Sequence, residues 1–139
     1  MTEGFRTFDH TGDLGLEVWA ESPERLYGLA AEALLAQVIE CRERSPEVRA
    51  EVDLEGADPA DLLVHWLNTA LLEAELRKAV WTRARVTRLA PRSLAGTLEG
   101  PRRDAARQSF LREVKAVSHH HLALALEPPA CRCRLVLDI

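Results

Sequence analysis

The sequence contains few cysteines, almost no lysine and no long apolar run. Three cysteines among 139 residues are too few for a disulfide scaffold, which favours a reducing, cytoplasmic location. No apolar run approaches the roughly 20 residues of a membrane span, and the opening MTEGFRTFD lacks the apolar segment of a signal peptide. These absences exclude disulfide-stabilised secreted proteins and membrane-spanning proteins, and we expect one soluble domain over residues 1–139.

Charge is distributed unevenly along the chain. Residues 1–75 carry 17 acidic and 5 basic side chains, whereas residues 76–139 carry 5 acidic and 13 basic ones. A basic half can bind RNA or phosphate. Alternatively, the fold interleaves the two halves so that opposite charges face each other. We expect the second arrangement.

Helices and strands follow from capping residues and hydrophobic periodicity. Ser22 before Pro23 begins one predicted helix, which ends near Ile39–Cys41, and Asp58 before Pro59 begins another. Period-2 alternation predicts strands at Gly4–Phe8, Leu14–Ala20, Val48–Glu55, Val80–Leu89, Ser93–Glu99, Glu113–Leu126 and Cys131–Leu137. This order predicts a two-layer α+β protein, a largely antiparallel sheet with two helices packed on one face.

Acidic residues surround the predicted turn between the first two strands. Asp9, His10 and Asp13 lie around Gly12, and such carboxylates can bind Ca²⁺ or Mg²⁺ or act as acid and base. An ordinary turn uses the same residues, because Asp side chains bond nearby backbone amides. Asp138, after the apolar run LVL, adds negative charge that a cation or a basic partner would relieve.

Lys115 is one of only two lysines, against 16 arginines. Strand alternation points Val114 and Ala116 inward and places Lys115 on the other side with Val117. A lone lysine can bind phosphate, nucleotide or carboxylate, although a plain surface lysine is the ordinary alternative.

A run of histidines, His119–His121, is followed by Cys131 and Cys133. If the two segments pair as strands, a Cys₂His₂ zinc site is conceivable. However, cysteines two residues apart depart from the usual zinc spacing, and both align with core positions. We expect buried cysteines rather than zinc.

Four segments, in this order, resemble the archease family. HTGDLGLEVWAES resembles the family's HTADxGxxxxGxS opening, and DLLVHWLNTALLEAE its DLLVDWLNELLYL helix. EVKAVSHHHLAL resembles its EVKAVTYHxL segment, and CRLVLDI its VVxDI ending. Three positions depart from these motifs: Gly12 replaces Ala, His65 replaces Asp, and Ser118–His119 replaces Thr–Tyr.

The resemblance implies a function that composition alone does not. Archeases are accessory proteins of the tRNA-splicing RNA ligase, which joins RNA ends bearing a 2′,3′-cyclic phosphate. They promote the ligase's covalent guanylate intermediate, let the ligase turn over and broaden its nucleotide use. We therefore expect an activator rather than an enzyme. Its expected partner is the ligase, through which it can meet tRNA or GTP indirectly.

The resemblance also implies a divalent-cation site. Asp13 and Asp138 are the expected ligands, with an oxygen of Ile139. Calcium is the expected ion, and magnesium and manganese are the alternatives. Lys115 matches a lysine needed for activation, and we assign His10 and Asp9 with it to contact with the ligase or with phosphate.

Two other functions remain open. One is a metal-dependent hydrolase that uses Asp13 and Asp138, although His10 is its only evident base. The other is a chaperone or RNA-binding module for tRNA-modifying enzymes. Its arginine-rich surface would include Arg83, Arg85, Arg88, Arg102 and Arg103.

Overall fold

A computed structural model describes residues 2–139 of the chain. Two helices are present, α1 (Pro23–Val38) and α2 (Pro59–Arg77). The strands are β1 (Gly4–His10), β2 (Asp13–Ala20), β3 (Ile39–Glu40), β4 (Val48–Glu55), β5 (Arg83–Ala90), β6 (Ser93–Gly100), β7 (Ser109–Phe110), β8 (Ala116–Val117), β9 (Ala123–Ala125) and β10 (Cys131–Asp138).

Both helices begin where the capping residues predict. The Ser22 hydroxyl accepts a hydrogen bond from the Arg25 N–H at 3.2 Å, and the Asp58 carboxylate accepts one from the Asp61 N–H at 2.8 Å. Each cap satisfies a backbone donor that the first helical turn leaves without an intrahelical partner. α2 ends at Lys78, whose left-handed conformation (φ 51°) turns the chain out of the helix.

The strands form two main sheets and a small one. β1, β2, β10 and β8 follow one another in the larger sheet, where β9 also pairs with β10. A second sheet has the order β4-β6-β5, and β3 pairs with β7. All pairings are antiparallel, so the predicted α+β class with two helices is confirmed.

The separation into sheets was not predicted. β5 and β6 join through a tight turn in which Ala90 is opposite Ser93, and β4 pairs with β6 along its whole length. β6 is therefore the central strand of this sheet, and β4 and β5 are its edges. The helices contact both sheets: α1 packs on β2 and β5, and α2 packs on β4, β6 and β8.

The core lies between the helices and the sheets. Trp66 and Trp81 are its largest fully buried side chains. Their indole N–H groups donate to the Tyr27 and Ala70 carbonyls at 2.9 and 3.0 Å, so both rings are buried without an unsatisfied donor.

The predicted strand Glu113–Leu126 is wrong. Only β8 and β9 form there, and a turn separates them in which His121 adopts a left-handed conformation (φ 60°). The predicted alternation fails with it, because Val114 and Val117 are the buried residues and Ala116 is only partly buried. The predicted strand Val80–Leu89 also begins later, at Arg83, because Ala79–Trp81 is a buried connection.

Ion pairs join the acidic and basic halves of the chain. Arg103 contacts Glu75 at 2.8 Å, and Arg107 contacts Glu43 at 2.8 Å. The expected interleaving of charge is therefore present, although several arginines remain outside such pairs. Within residues 2–139, no helix is long and apolar enough to cross a membrane.

Candidate functional site

Polar residues line up across one end of the larger sheet. His10 on β1 is opposite Asp13 on β2, and Asp138 on β10 is opposite Ala116 on β8. β10 pairs with β2 as far as Leu137 opposite Leu14, so Asp138 and Asp13 are the next residues of these two strands at that end. Directly opposite residues of paired strands share a face of the sheet. We call His10, Asp13 and Asp138 the acidic row.

Side-chain polar atoms of the acidic row lack hydrogen-bond partners within residues 2–139. His10 Nδ1 lies 3.8 Å from an Asp13 carboxylate oxygen, which is too far for a hydrogen bond. This nitrogen is buried and has no hydrogen-bond partner within the described chain. Neither carboxylate of the row is engaged in a hydrogen bond within residues 2–139, so both can accept an incoming cation or donor.

The turn that carries the row depends on Gly12. Its φ of +77° is a conformation that residues with a side chain rarely adopt, and no atom lies within 4 Å of where a Cβ would be. Asp9 does not join the row, although the sequence groups it with His10 and Asp13. It is opposite Leu14, one step along the hairpin, and therefore faces the helix side of the sheet.

Lys115 lies beside the row through its backbone. Its N–H donates to the Asp138 carbonyl at 2.7 Å, which fixes its position next to the last strand. The lysine is exposed, and it lines a groove of about 690 Å³ together with residues of α2 that include Asn68 and Leu72.

Asn68 holds the Lys115 segment in place, and the sequence did not single it out for this role. Its side-chain amide donates to the Val117 carbonyl at 3.1 Å, and its side-chain carbonyl accepts from the Val117 N–H at 2.8 Å. These two hydrogen bonds satisfy the free edge of β8 as a neighbouring strand would. The signal in the sequence is a single amide within the apolar stretch LLVHWLNTALL of α2.

The histidine run is divided between two contacts. His119 Nε2 lies 2.9 Å from an Asp61 carboxylate oxygen on α2. The pKa of Asp61 is lowered because the Ala57 N–H and His119 both bond its ionised form. At the other end, the His121 ring centroid lies 5.1 Å from that of His10 and 3.9 Å from that of His120.

The conceivable zinc site is not formed. Cys131 and Cys133 are buried in the core, where burial raises the pKa of the Cys133 thiol to about 12. The histidines are exposed in the turn before β9. Among residues 2–139, no group of three or more His, Cys, Asp or Glu side chains is placed to hold a metal ion.

His65 also lies outside the acidic row. It is exposed on α2, and its Nδ1 lies 2.8 Å from the Glu55 carbonyl at the end of β4. Of the arginines proposed as one RNA-binding surface, Arg83, Arg85 and Arg88 lie on β5, whereas Arg102 and Arg103 follow β6. Arg88 pairs with Asp53 at 3.2 Å, and Arg103 pairs with Glu75, so neither offers an uncompensated charge.

These features define a small α+β protein with two helices, antiparallel sheets and carboxylates gathered at one end of the larger sheet. Residues 5–139 match the model of the Archease protein family (MTH1598/TM1083). Protein archease of Methanopyrus kandleri is 30% identical over 134 residues, which cover 94% of this chain and 96% of that protein. Protein archease of Methanosarcina barkeri is 25% identical over 97% of this chain and 95% of that protein.

The fold has a solved counterpart. The solution structure of Methanobacterium thermoautotrophicum Protein 1598 superposes with a TM-score of 0.79 at 23% identity, covering 98% of this chain and 99% of that one. This structural similarity shows the fold alone. Membership of the family rests on the sequence matches. The chain belongs to the archease family.

Proposed function

We propose that this protein activates a tRNA-splicing RNA ligase by promoting guanylylation of the ligase and its multiple turnover. The observation that carries the proposal is the acidic row. It contains Asp13 and Asp138, the aspartates of two archease-like motifs that we propose as ligands, at the same end of the adjacent strands β2 and β10. In this role the protein is an accessory factor and performs no reaction of its own.

The donor set of the row suits a hard divalent cation. Asp13 and Asp138 contribute carboxylate oxygens, and the main chain of Ile139 contributes a further one. Oxygen ligands favour Ca²⁺, with Mg²⁺ and Mn²⁺ as alternatives, and disfavour zinc. Because fewer than three side chains contribute, water completes the coordination and binding is weak. A bound cation supplies positive charge that stabilises phosphate oxygens.

The remaining residues near the row position a phosphate group. Lys115 presents an ammonium group on a backbone tied to Asp138. His10 covers one side of Asp13. Asp9, on the opposite face of the hairpin, is a contact to the ligase surface rather than to the cation.

The test is a guanylylation assay with the ligase of the same organism, GTP and a divalent metal. Wild-type protein should increase the rate of ligase–guanylate formation, and Asp13→Ala and Lys115→Ala should abolish that increase. Asp53→Ala is the matched control, because Asp53 is an exposed carboxylate on β4, outside the row. Full stimulation by Asp13→Ala, or equal loss with Asp53→Ala, would contradict the proposal. Circular dichroism of each variant shows whether it is folded.

A further inference from the structure

One face of the larger sheet carries no helix, and part of that face is rich in arginine. The helices pack on the side of the sheet that presents Leu16 and Val18. The other side presents a different set of side chains in register across the central strands. They include Arg6, Phe8, Trp19, Arg132 and Arg134, which we call the basic face, and also Glu17, which is opposite both Arg6 and Arg134. The acidic row lies at the other end of the same side of the sheet.

Two glycines allow the aromatic rings of the basic face to pack directly against the backbone of the sheet. A Cβ at Gly15 would come within 2.2 Å of the Phe8 ring, and one at Gly4 would come within 2.8 Å of the Trp19 ring. Each ring therefore occupies the space above a glycine of the neighbouring strand. The rings lie close to the backbone, and the arginines project beyond them.

Two of the three arginines on the basic face make no ion pair within the described chain, although Glu17 lies on the same face. Arg6 pairs with Glu17 at 3.1 Å. Arg132 and Arg134 are exposed and have no ion pair within residues 2–139. The guanidinium carbon of Arg134 lies 4.1 Å from the centroid of the Phe8 ring, so a cation–π contact holds one side of the group while the residue remains exposed.

Space for a ligand lies beside these arginines. On β9, exposed Ala123 and Ala125 are opposite Arg134 and Arg132. The small side chains do not cover the guanidinium groups, so a planar ligand can approach them. Arginine over an aromatic ring, next to further arginine, is a combination that stacks on bases and pairs with phosphates.

We infer that the basic face binds a segment of single-stranded RNA. The face meets both requirements of such binding, unpaired positive charge and flat groups on which bases stack. An acidic protein surface would use the charge alone. The inference deepens the proposed function, because the substrate of an RNA ligase is itself RNA, but binding by the isolated protein can be measured without a ligase.

A second basic strand provides a matched control. Arg83 and Arg85 are exposed on β5, in the other sheet, and line a groove that also contains Glu24 and Glu32. Arg83→Gln/Arg85→Gln removes the same charge as Arg132→Gln/Arg134→Gln. Of these four arginines, Arg134 is the one whose guanidinium lies over an aromatic ring, that of Phe8.

The experiment measures fluorescence anisotropy of a labelled 10-nucleotide single-stranded RNA with the full-length protein at several salt concentrations. Arg132→Gln/Arg134→Gln should weaken binding about tenfold and lower the salt slope by roughly 1.4, since each phosphate contact on a single strand contributes about 0.7. Arg83→Gln/Arg85→Gln should change the affinity less than about twofold. Arg134→Lys should lose affinity although it keeps the charge, because the ammonium group offers no plane for stacking.

Three outcomes would overturn the inference. The first is that the protein does not bind the RNA at low salt. The second is that both double variants weaken binding equally. The third is that polyglutamate displaces the labelled RNA as effectively as unlabelled RNA does. The guanylylation assay separates this failure from failure of the proposed function. Guanylylation needs no RNA substrate, so Arg132→Gln/Arg134→Gln should still stimulate that step fully.

Discussion

Asn68 is expected to stabilise the fold through its two bonds to the edge of β8. Asn68→Ala removes both, and a typical hydrogen bond contributes about 1 kcal/mol. The change also leaves the N–H and carbonyl of buried Val117 without their partner, which adds to the loss. We expect the free energy of unfolding to fall by about 2–3 kcal/mol. For a chain of this length, that lowers the melting temperature by roughly 7–10 °C.

Urea and thermal denaturation followed by circular dichroism measure this effect. Thr69→Ala is the matched control, because it removes a polar side chain at the next position of α2 that makes no side-chain hydrogen bond within residues 2–139. It should change stability by less than about 0.5 kcal/mol. Asn68→Asp should give an intermediate loss, because it keeps the acceptor for the Val117 N–H but lacks the donor for the carbonyl. A loss in Asn68→Ala no larger than that of Thr69→Ala would refute the reasoning.

Two further predictions concern ionisable groups. Ala57 and His119 donate to the ionised Asp61 carboxylate and lower its pKa. These bonds therefore stabilise the folded protein above the ordinary carboxyl pKa, and their contribution is lost as the pH falls through the lowered value. Wild type should therefore unfold at a higher midpoint than Asp61→Asn at pH 6.5, and this difference should shrink at pH 2.5. A difference that does not change with pH would contradict the reasoning. Burial and a raised pKa should also protect Cys131 and Cys133 from iodoacetamide at pH 8. Mass spectrometry should find label on half-buried Cys41 alone, and on all three thiols in denaturant.

Much of the fold could be predicted because its signals are local. Ser22 and Asp58 cap their helices through bonds to residues three positions further along, so the sequence alone indicates both starts. β4 alternates buried and exposed residues without interruption and was predicted with the correct bounds. The strand predicted over Glu113–Leu126 failed because His121 takes a left-handed conformation, which alternation does not reveal.

The candidate site could be predicted only in part, because its geometry depends on distant pairing. The motifs indicated Asp13 and Asp138, but their proximity follows from the register of β10 against β2, which no local pattern determines. Asp9 is adjacent to His10 in sequence and yet faces the other side. The basic face was missed for the same reason: Arg132 and Arg134 lie on β10, whereas Phe8 and Trp19 lie on β1 and β2, and strand pairing brings them together.

The acidic row joins residues from near the two ends of the chain, and this links the site to the folding reaction. β10 lies between β2 on one side and β8 and β9 on the other. Contacts of such long sequence separation must close a large loop, and they slow folding relative to local helix formation. A partly folded molecule in which β10 has not docked retains helical segments but has no acidic row. Cation binding at the row would therefore report completion of the native sheet, and it would stabilise that sheet against loss of its central strand.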